Sequence, residues 1–96
     1  MKLSYTPEAI QDLERLRTFI AEHNPQAAKR ISNKLRSSIQ KLTEFPNMGV
    51  PVELAPNPKL LRDFMRGNYV VRYLALEDKI IILRVWQGRE NRSEEI

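Results

Sequence analysis

Residues 67–88 read as two strands that are apolar on both faces: Gly-Asn-Tyr-Val-Val-Arg-Tyr-Leu-Ala-Leu, then Glu-Asp, then Lys-Ile-Ile-Ile-Leu-Arg-Val-Trp-Gln-Gly. β-branched and aromatic residues favour a pleated strand, and Glu77-Asp78 is the only polar break, so the pattern predicts a hairpin turning there. Strict alternation puts Tyr69, Val71, Tyr73, Ala75, Ile80, Ile82, Arg84 and Trp86 on one face. The other face carries Val70, Arg72, Leu74, Leu76, Lys79, Ile81, Leu83 and Val85. A small antiparallel sheet normally buries one face and wets the other. Neither face here suits water, so the hairpin is expected to need a partner.

Upstream the apolar period changes from strand to helix. Lys2 to Tyr5 reads as a short first strand. Thr6-Pro7-Glu8 follows as a helix start, with Thr6 as N-cap, Pro7 at the first helical position and Glu8 at the positive dipole end. Ile10, Leu13, Leu16 and Ile20 make one helical face, with Ala9 and Phe19 beside them. His23-Asn24-Pro25 ends this helix and starts the next. The second helix shows Ala27, Ala28, Ile31, Leu35, Ser38, Ile39 and Leu42 on one side. A short link between two such stripes predicts an antiparallel helical hairpin. Phe45-Pro46 stops it, residues 46–58 hold four of the six prolines as an irregular connector, and Leu60 to Met65 reads as another strand. Gly67-Asn68 is a tight-turn signal. The order β-αα-βββ implies one α+β domain over residues 1–96: an N-terminal strand and a three-stranded antiparallel unit in one sheet, packed against the helical hairpin. The aromatic Tyr69–Trp86 face is expected to meet the helices, and residues 88–96 to form a flexible polar tail.

Composition narrows the chemistry. At 96 residues with 42% hydrophobic and 29% charged positions, the chain can bury a modest core. Cysteine is absent and histidine occurs once, so neither a thiolate nor a multi-histidine metal site can form. No cofactor is expected. The longest aliphatic run, Ile80 to Leu83, is far too short to span a bilayer, and no secretory leader is visible, so the expected compartment is the cytoplasm. The net charge of +4 suggests an acidic partner. Arg30, Lys34, Ser37 and Lys41 line up on the second helix, a stripe whose ordinary reading is a solvated face.

Three segments then matter together: Leu61-Arg62-Asp63-Phe64, Gly67-Asn68-Tyr69-Val70-Val71-Arg72-Tyr73, and Ile82-Leu83-Arg84-Val85-Trp86-Gln87-Gly88-Arg89-Glu90. They resemble the C-terminal signature of the RelE/ParE superfamily of type II toxin–antitoxin toxins, and Phe45-Pro46-Asn47-Met48-Gly49 is similar to that family's proline-glycine connector. The resemblance implies a toxin silenced by a cognate antitoxin that is typically acidic where it binds. Operator DNA would be met only through the antitoxin. Val70, Arg72, Leu74, Ile81, Leu83 and Val85 form the expected antitoxin surface, an apolar patch with Arg72 as a charged handle for an amphipathic segment.

The superfamily divides by target, either mRNA on the ribosome or DNA gyrase. Cleavage through the 2′-hydroxyl needs a base, a cation for the phosphorane and an acid for the leaving oxygen. RelE-like nucleases resemble one another in an arginine just after the tyrosine of the Gly-x-Tyr segment, where this chain has Val70, and in a tyrosine or histidine near the C-terminus, which Arg92 to Ile96 lack. Arg62 and Arg89 are the matching cations in that reading. His23, the single histidine, reads as a helix C-terminal residue. The expected function is therefore ParE-like inhibition of gyrase by protein contact, with Arg84, Trp86, Arg89 and Arg92 as target contacts. A ribosome-dependent endoribonuclease and an inactive antitoxin-binding member stay open beside it. Arg84 is also expected to stack on Trp86 or Tyr69.

Overall fold

The computed structural model describes residues 1–53, 56–57 and 60–88. In chain order these form β1 (Lys2–Tyr5), α1 (Pro7–His23), α2 (Pro25–Lys41), β2 (Val50–Pro51), β3 (Leu61–Arg66), β4 (Tyr69–Ala75) and β5 (Lys79–Gln87). The strands make one sheet in the order β1-β5-β4-β3-β2. β1 runs parallel to β5, and every other pair is antiparallel. The α+β architecture is the expected one, with a two-residue edge strand, β2, added where the sequence suggested only connector. The tail expected at residues 88–96, with Arg89 and Arg92, lies outside the described residues apart from Gly88.

The helix ends follow from their capping residues. Thr6 Oγ1 accepts from the Ala9 amide at 3.0 Å, and Pro7 occupies the first turn, where no amide is needed. Asn24 serves both helices. Its amide donates to the Ile20 carbonyl at 2.8 Å, and its Oδ1 accepts from the Ala27 amide at 3.1 Å. That double use makes the link short enough to fold α2 back along α1.

Both tight turns fall where the sequence put them. Gly67 has φ of 59°, and among the described residues no non-glycine residue has a positive φ, which is the type II′ pattern suited to the twist of a two-residue hairpin. The β4–β5 hairpin turns at Glu77-Asp78, closed by the Leu76 amide on the Lys79 carbonyl.

The helices cover one face of the sheet. Ala9 and Leu16 of α1 and Leu35, Ile39 and Leu42 from α2 and its cap pack with Val71, Tyr73, Ile80, Ile82 and Val85. The expected helix-side face holds through Ile82 and then fails, because β5 carries a bulge. Arg72 pairs with Arg84 but Tyr73 with Ile82, so Leu83 is an extra residue on β5. One inserted residue reverses the faces beyond it. Val85 therefore leaves the expected antitoxin surface and is fully buried under the helices, while Trp86 goes to the opposite face.

On α1 the expected stripe is rotated. Ile10 and Phe19 are exposed, and the buried line is Ala9, Asp12 and Leu16. The connector is fixed from beneath. Tyr73 Oη donates to the Pro46 carbonyl at 2.7 Å and accepts from the Gly49 amide at 2.9 Å. A Cβ on Gly49 would lie 2.8 Å from the Tyr73 ring and 2.9 Å from the Asp63 carbonyl oxygen, so glycine is required for that approach.

Candidate functional site

The bulge is held by the start of α1. Leu83 and Val85 each offer a backbone group to the N-terminal part of α1 and its cap. The Thr6 hydroxyl donates to the Leu83 carbonyl at 2.8 Å, and the Val85 amide donates to Asp12 Oδ2 at 2.9 Å. Arg84 adds a two-bond pair to the same carboxylate, Nε to Oδ2 at 2.8 Å and Nη2 to Oδ1 at 3.1 Å. Burial pushes the Asp12 carboxyl up. Hydrogen bonds from Arg84 and the Val85 amide, with the charges of Arg84 and Arg15, outweigh it and hold the group below its ordinary value. The expected stacking of Arg84 on Trp86 or Tyr69 is thus replaced by an ion pair with α1.

On the sheet face away from the helices, Arg72 takes the stacking role. Its Cζ lies 5.1 Å from the Trp86 ring centroid, and its guanidinium grips Asp63, Nε to Oδ1 at 2.8 Å and Nη2 to Oδ2 at 2.9 Å. Arg72 and Trp86 are only 6% and 4% exposed. Arg72 is a strut matched by Asp63 rather than a charged handle awaiting a partner. Trp86 offers almost no surface for a target. Val70, Leu74, Ile81 and Leu83 are half-buried, so this face is less bare than alternation alone suggested.

A second apolar surface is concave. A groove of about 510 Å³ opens between α1, α2 and β1, lined by Leu3, Tyr5, Ile10, Leu13, Ile20 and Ile31, with Arg17, Arg36 and Glu14 among its polar walls. β1 is an edge strand with one neighbour, β5, and its other edge is unpaired within the sheet. Burial raises the Tyr5 phenol above its ordinary value, partly offset by the positive charge of Arg36. Alternation along the hairpin could not reveal this groove. The signal was in α1, whose apolar residues span more of the helix than one core-facing stripe needs.

Of the two cations of the nuclease reading, Arg62 lies in the described sheet and Arg89 outside the described residues. Arg62 Nη1 donates to the Gly49 carbonyl at 2.7 Å, fastening the connector. Val70 stands opposite Trp86 in the ladder. Burial pushes the Tyr73 phenol up, and its hydroxyl is bonded to Pro46 and Gly49. His23 is the exposed last residue of α1, with its ring centroid 4.9 Å from that of Phe19. No group of three His, Cys, Asp or Glu side chains able to hold a metal occurs among the described residues. Nor is any described helix long and apolar enough to cross a membrane.

Comparison with known proteins decides the family. Residues 3–92 match the model of the ParE toxin of type II toxin–antitoxin systems. The chain belongs to the ParE toxin family. Within the wider RelE/ParE group it is 33% identical over 85 residues to Toxin RelE1 of Caulobacter vibrioides, covering 88% of this chain and 89% of the relative. It is 30% identical over 82 residues to Toxin RelE2 of the same organism, covering 84% and 88%. The fold is similar to that in a structure of the chromosomal ParDE system from P. aeruginosa, with TM-score 0.73, 20% identity and coverage of 91% and 95%. It is also similar to that in the RelBE2 toxin–antitoxin complex from Mycobacterium tuberculosis, with TM-score 0.61, 20% identity and coverage of 90% and 88%.

For this member of the ParE family the structure therefore brings Arg72 and Trp86 together and keeps Val70, Leu74, Ile81 and Leu83 half-buried. It moves Val85 into the core and turns Arg84 to α1. Arg89 and Arg92 fall outside the described residues. Asp12 and the groove were missed because each depends on contacts far apart in the chain, and the pairing of Asp63 with Arg72 because it depends on the β3–β4 register.

Proposed function

We propose that this toxin inhibits DNA gyrase by protein–protein contact and is silenced by a cognate antitoxin whose amphipathic segment occupies the groove between α1, α2 and β1. The observation that carries the target reading is the chemistry around Val70. An aliphatic side chain stands where nucleolytic relatives are expected to place an arginine, and Arg62 is engaged by a backbone carbonyl of the connector. A nuclease would need a proton acceptor, a cation and a proton donor poised together.

The partner reading is supported by an exposed apolar residue, Ile10, on a concave surface walled partly by Arg17 and Arg36. That combination suits a helix-in-groove or strand-addition mode with an acidic amphipathic peptide. Both similar structures come from toxin–antitoxin systems. The half-buried patch of Val70, Leu74, Ile81 and Leu83 is the second surface such a segment reaches. Contact with operator DNA runs through the antitoxin, and the working compartment is the cytoplasm.

The RelE names of the two relatives favour ribosome-dependent cleavage of mRNA as the second reading, with Arg62 and Arg89 as its cations. Induction in cells separates the two. Gyrase poisoning induces a DNA-damage response while translation continues. Messages cut at the ribosomal A site, with translation arrested first, would overturn the gyrase reading. Neither response would leave an inactive antitoxin-binding protein.

A further inference from the structure

α2 carries five cations, Lys29, Arg30, Lys34, Arg36 and Lys41, and no carboxylate. α1 carries four carboxylates and two arginines. A face that is merely solvated gains from mixing signs four residues apart, whereas Arg30 and Lys34 repel at that spacing. The five cations also divide. Arg36 lines the apolar groove, and Lys29 lies on that flank of the helix. Arg30, Lys34 and Lys41 fall in one row on the opposite flank, within about 40° of arc, and all three are exposed. At the helical rise they are separated by about 6 Å and about 10.5 Å along the axis.

The rest of α2's exposed surface decides what the row fits. Gln26, Asn33 and Ser37 are exposed beside it, and no large exposed hydrophobic residue lies on α2. A polypeptide partner needs apolar anchors at the centre of its contact. A phosphodiester backbone is instead gripped by Lys, Arg, Asn, Gln and Ser side chains.

We infer that the Arg30–Lys34–Lys41 row of α2 is a sequence-independent docking surface for the phosphate backbone of duplex DNA, separate from the antitoxin groove. The choice of DNA over RNA rests on the gyrase reading, which brings the toxin to an enzyme holding a DNA duplex. The row would let the toxin engage that duplex while its other surfaces meet protein.

The test is fluorescence anisotropy of the purified full-length toxin with a labelled random duplex of about 20 base pairs, titrated across a salt series without gyrase. Three phosphate contacts predict a log–log salt slope of about −2.7, with weak binding in the micromolar range or above. Arg30→Gln/Lys34→Gln/Lys41→Gln should weaken binding at least tenfold at low salt and flatten the slope. Lys34→Gln alone should reduce the slope by about 0.9. A control that removes the same charge elsewhere, Lys2→Gln/Arg66→Gln/Lys79→Gln, should bind like the parent. Equal loss in the control would mean net charge alone is at work and would overturn the inference. So would tighter binding of a duplex RNA of the same length, or poly-glutamate binding that depends on the same three residues. Loss of the DNA result with gyrase inhibition intact would sink only this surface. DNA binding by a toxin that leaves gyrase untouched would sink the gyrase reading instead.

Discussion

Asp12 and Arg84 lie 72 positions apart and share two hydrogen bonds, with the same carboxylate also accepting from the Val85 amide. One side chain of α1 thereby holds the strand at the residue following Arg84. Asp12→Ala leaves the bulge amide without its acceptor and should cost about 2–3 kcal/mol in urea unfolding. Asp12→Asn keeps a carbonyl for the Val85 amide and loses the charge and the bond from Arg84 Nη2, so its cost should be smaller, about 1.5 kcal/mol. Equal costs for the two variants would show that the amide contact contributes nothing.

Acid should weaken the fold through the same carboxyl. Its folded pKa lies below the ordinary value of 3.8, so the unfolded chain takes up the proton first. The stability Asp12 supplies is then fully present above that value and is lost as pH falls through the lower, folded one. Unfolding curves across this acid window should show a decline that Asp12→Asn flattens. Arg84→Ala removes the strongest of the influences that lower the group, which brings the folded value closer to the unfolded one, so the decline due to this carboxyl should be smaller. A parent protein whose acid profile matches that of Asp12→Asn would refute the linkage.

The connector should loosen when its clamp is removed. Tyr73→Phe takes away a hydroxyl bonded to both Pro46 and Gly49, leaving a buried amide unpaired at a cost of about 1–3 kcal/mol. Hydrogen exchange at the Gly49 amide should accelerate more than exchange within β4 and β5. Gly49→Ala should also destabilise, since its methyl would press on the Tyr73 ring and the Asp63 carbonyl. Unchanged Gly49 exchange in Tyr73→Phe would mean the loop is fixed by other contacts.

Antitoxin affinity should map to the groove more than to the outer sheet face. Ile10 is 48% exposed, so Ile10→Glu should fold normally. Burying its carboxylate under a partner should weaken antitoxin binding by tenfold or more, about 1.4 kcal/mol, in a titration with the cognate antitoxin. Leu74→Glu should weaken it less, because Leu74 is already half-covered by its own chain. The reverse ranking would return the main contact to the outer face.

Local signals exposed the elements of the fold. Thr6-Pro7 and Asn24-Pro25 mark helix starts because capping needs only neighbouring residues, and Gly67-Asn68 and Glu77-Asp78 mark turns for a similar reason. Strand faces were legible through Ile82 and then failed, since a bulge has no period in a run as uniformly apolar as Ile80–Leu83. Asp12 was opaque for the converse reason. A carboxylate on an apolar stripe becomes intelligible only once Arg84 and the Val85 amide are seen beneath it. The signature segments gave the family, whereas the groove depended on how the helical hairpin sits over β1.

The target is tested most directly by adding the purified toxin to gyrase with supercoiled plasmid, alongside an in vitro translation reaction from the same sample. Blocked supercoiling or linearised plasmid, normal protein synthesis, and the same outcome with His23→Ala are the results expected of a gyrase inhibitor with no catalytic histidine. Full gyrase activity together with messages cleaved on the ribosome would contradict the account.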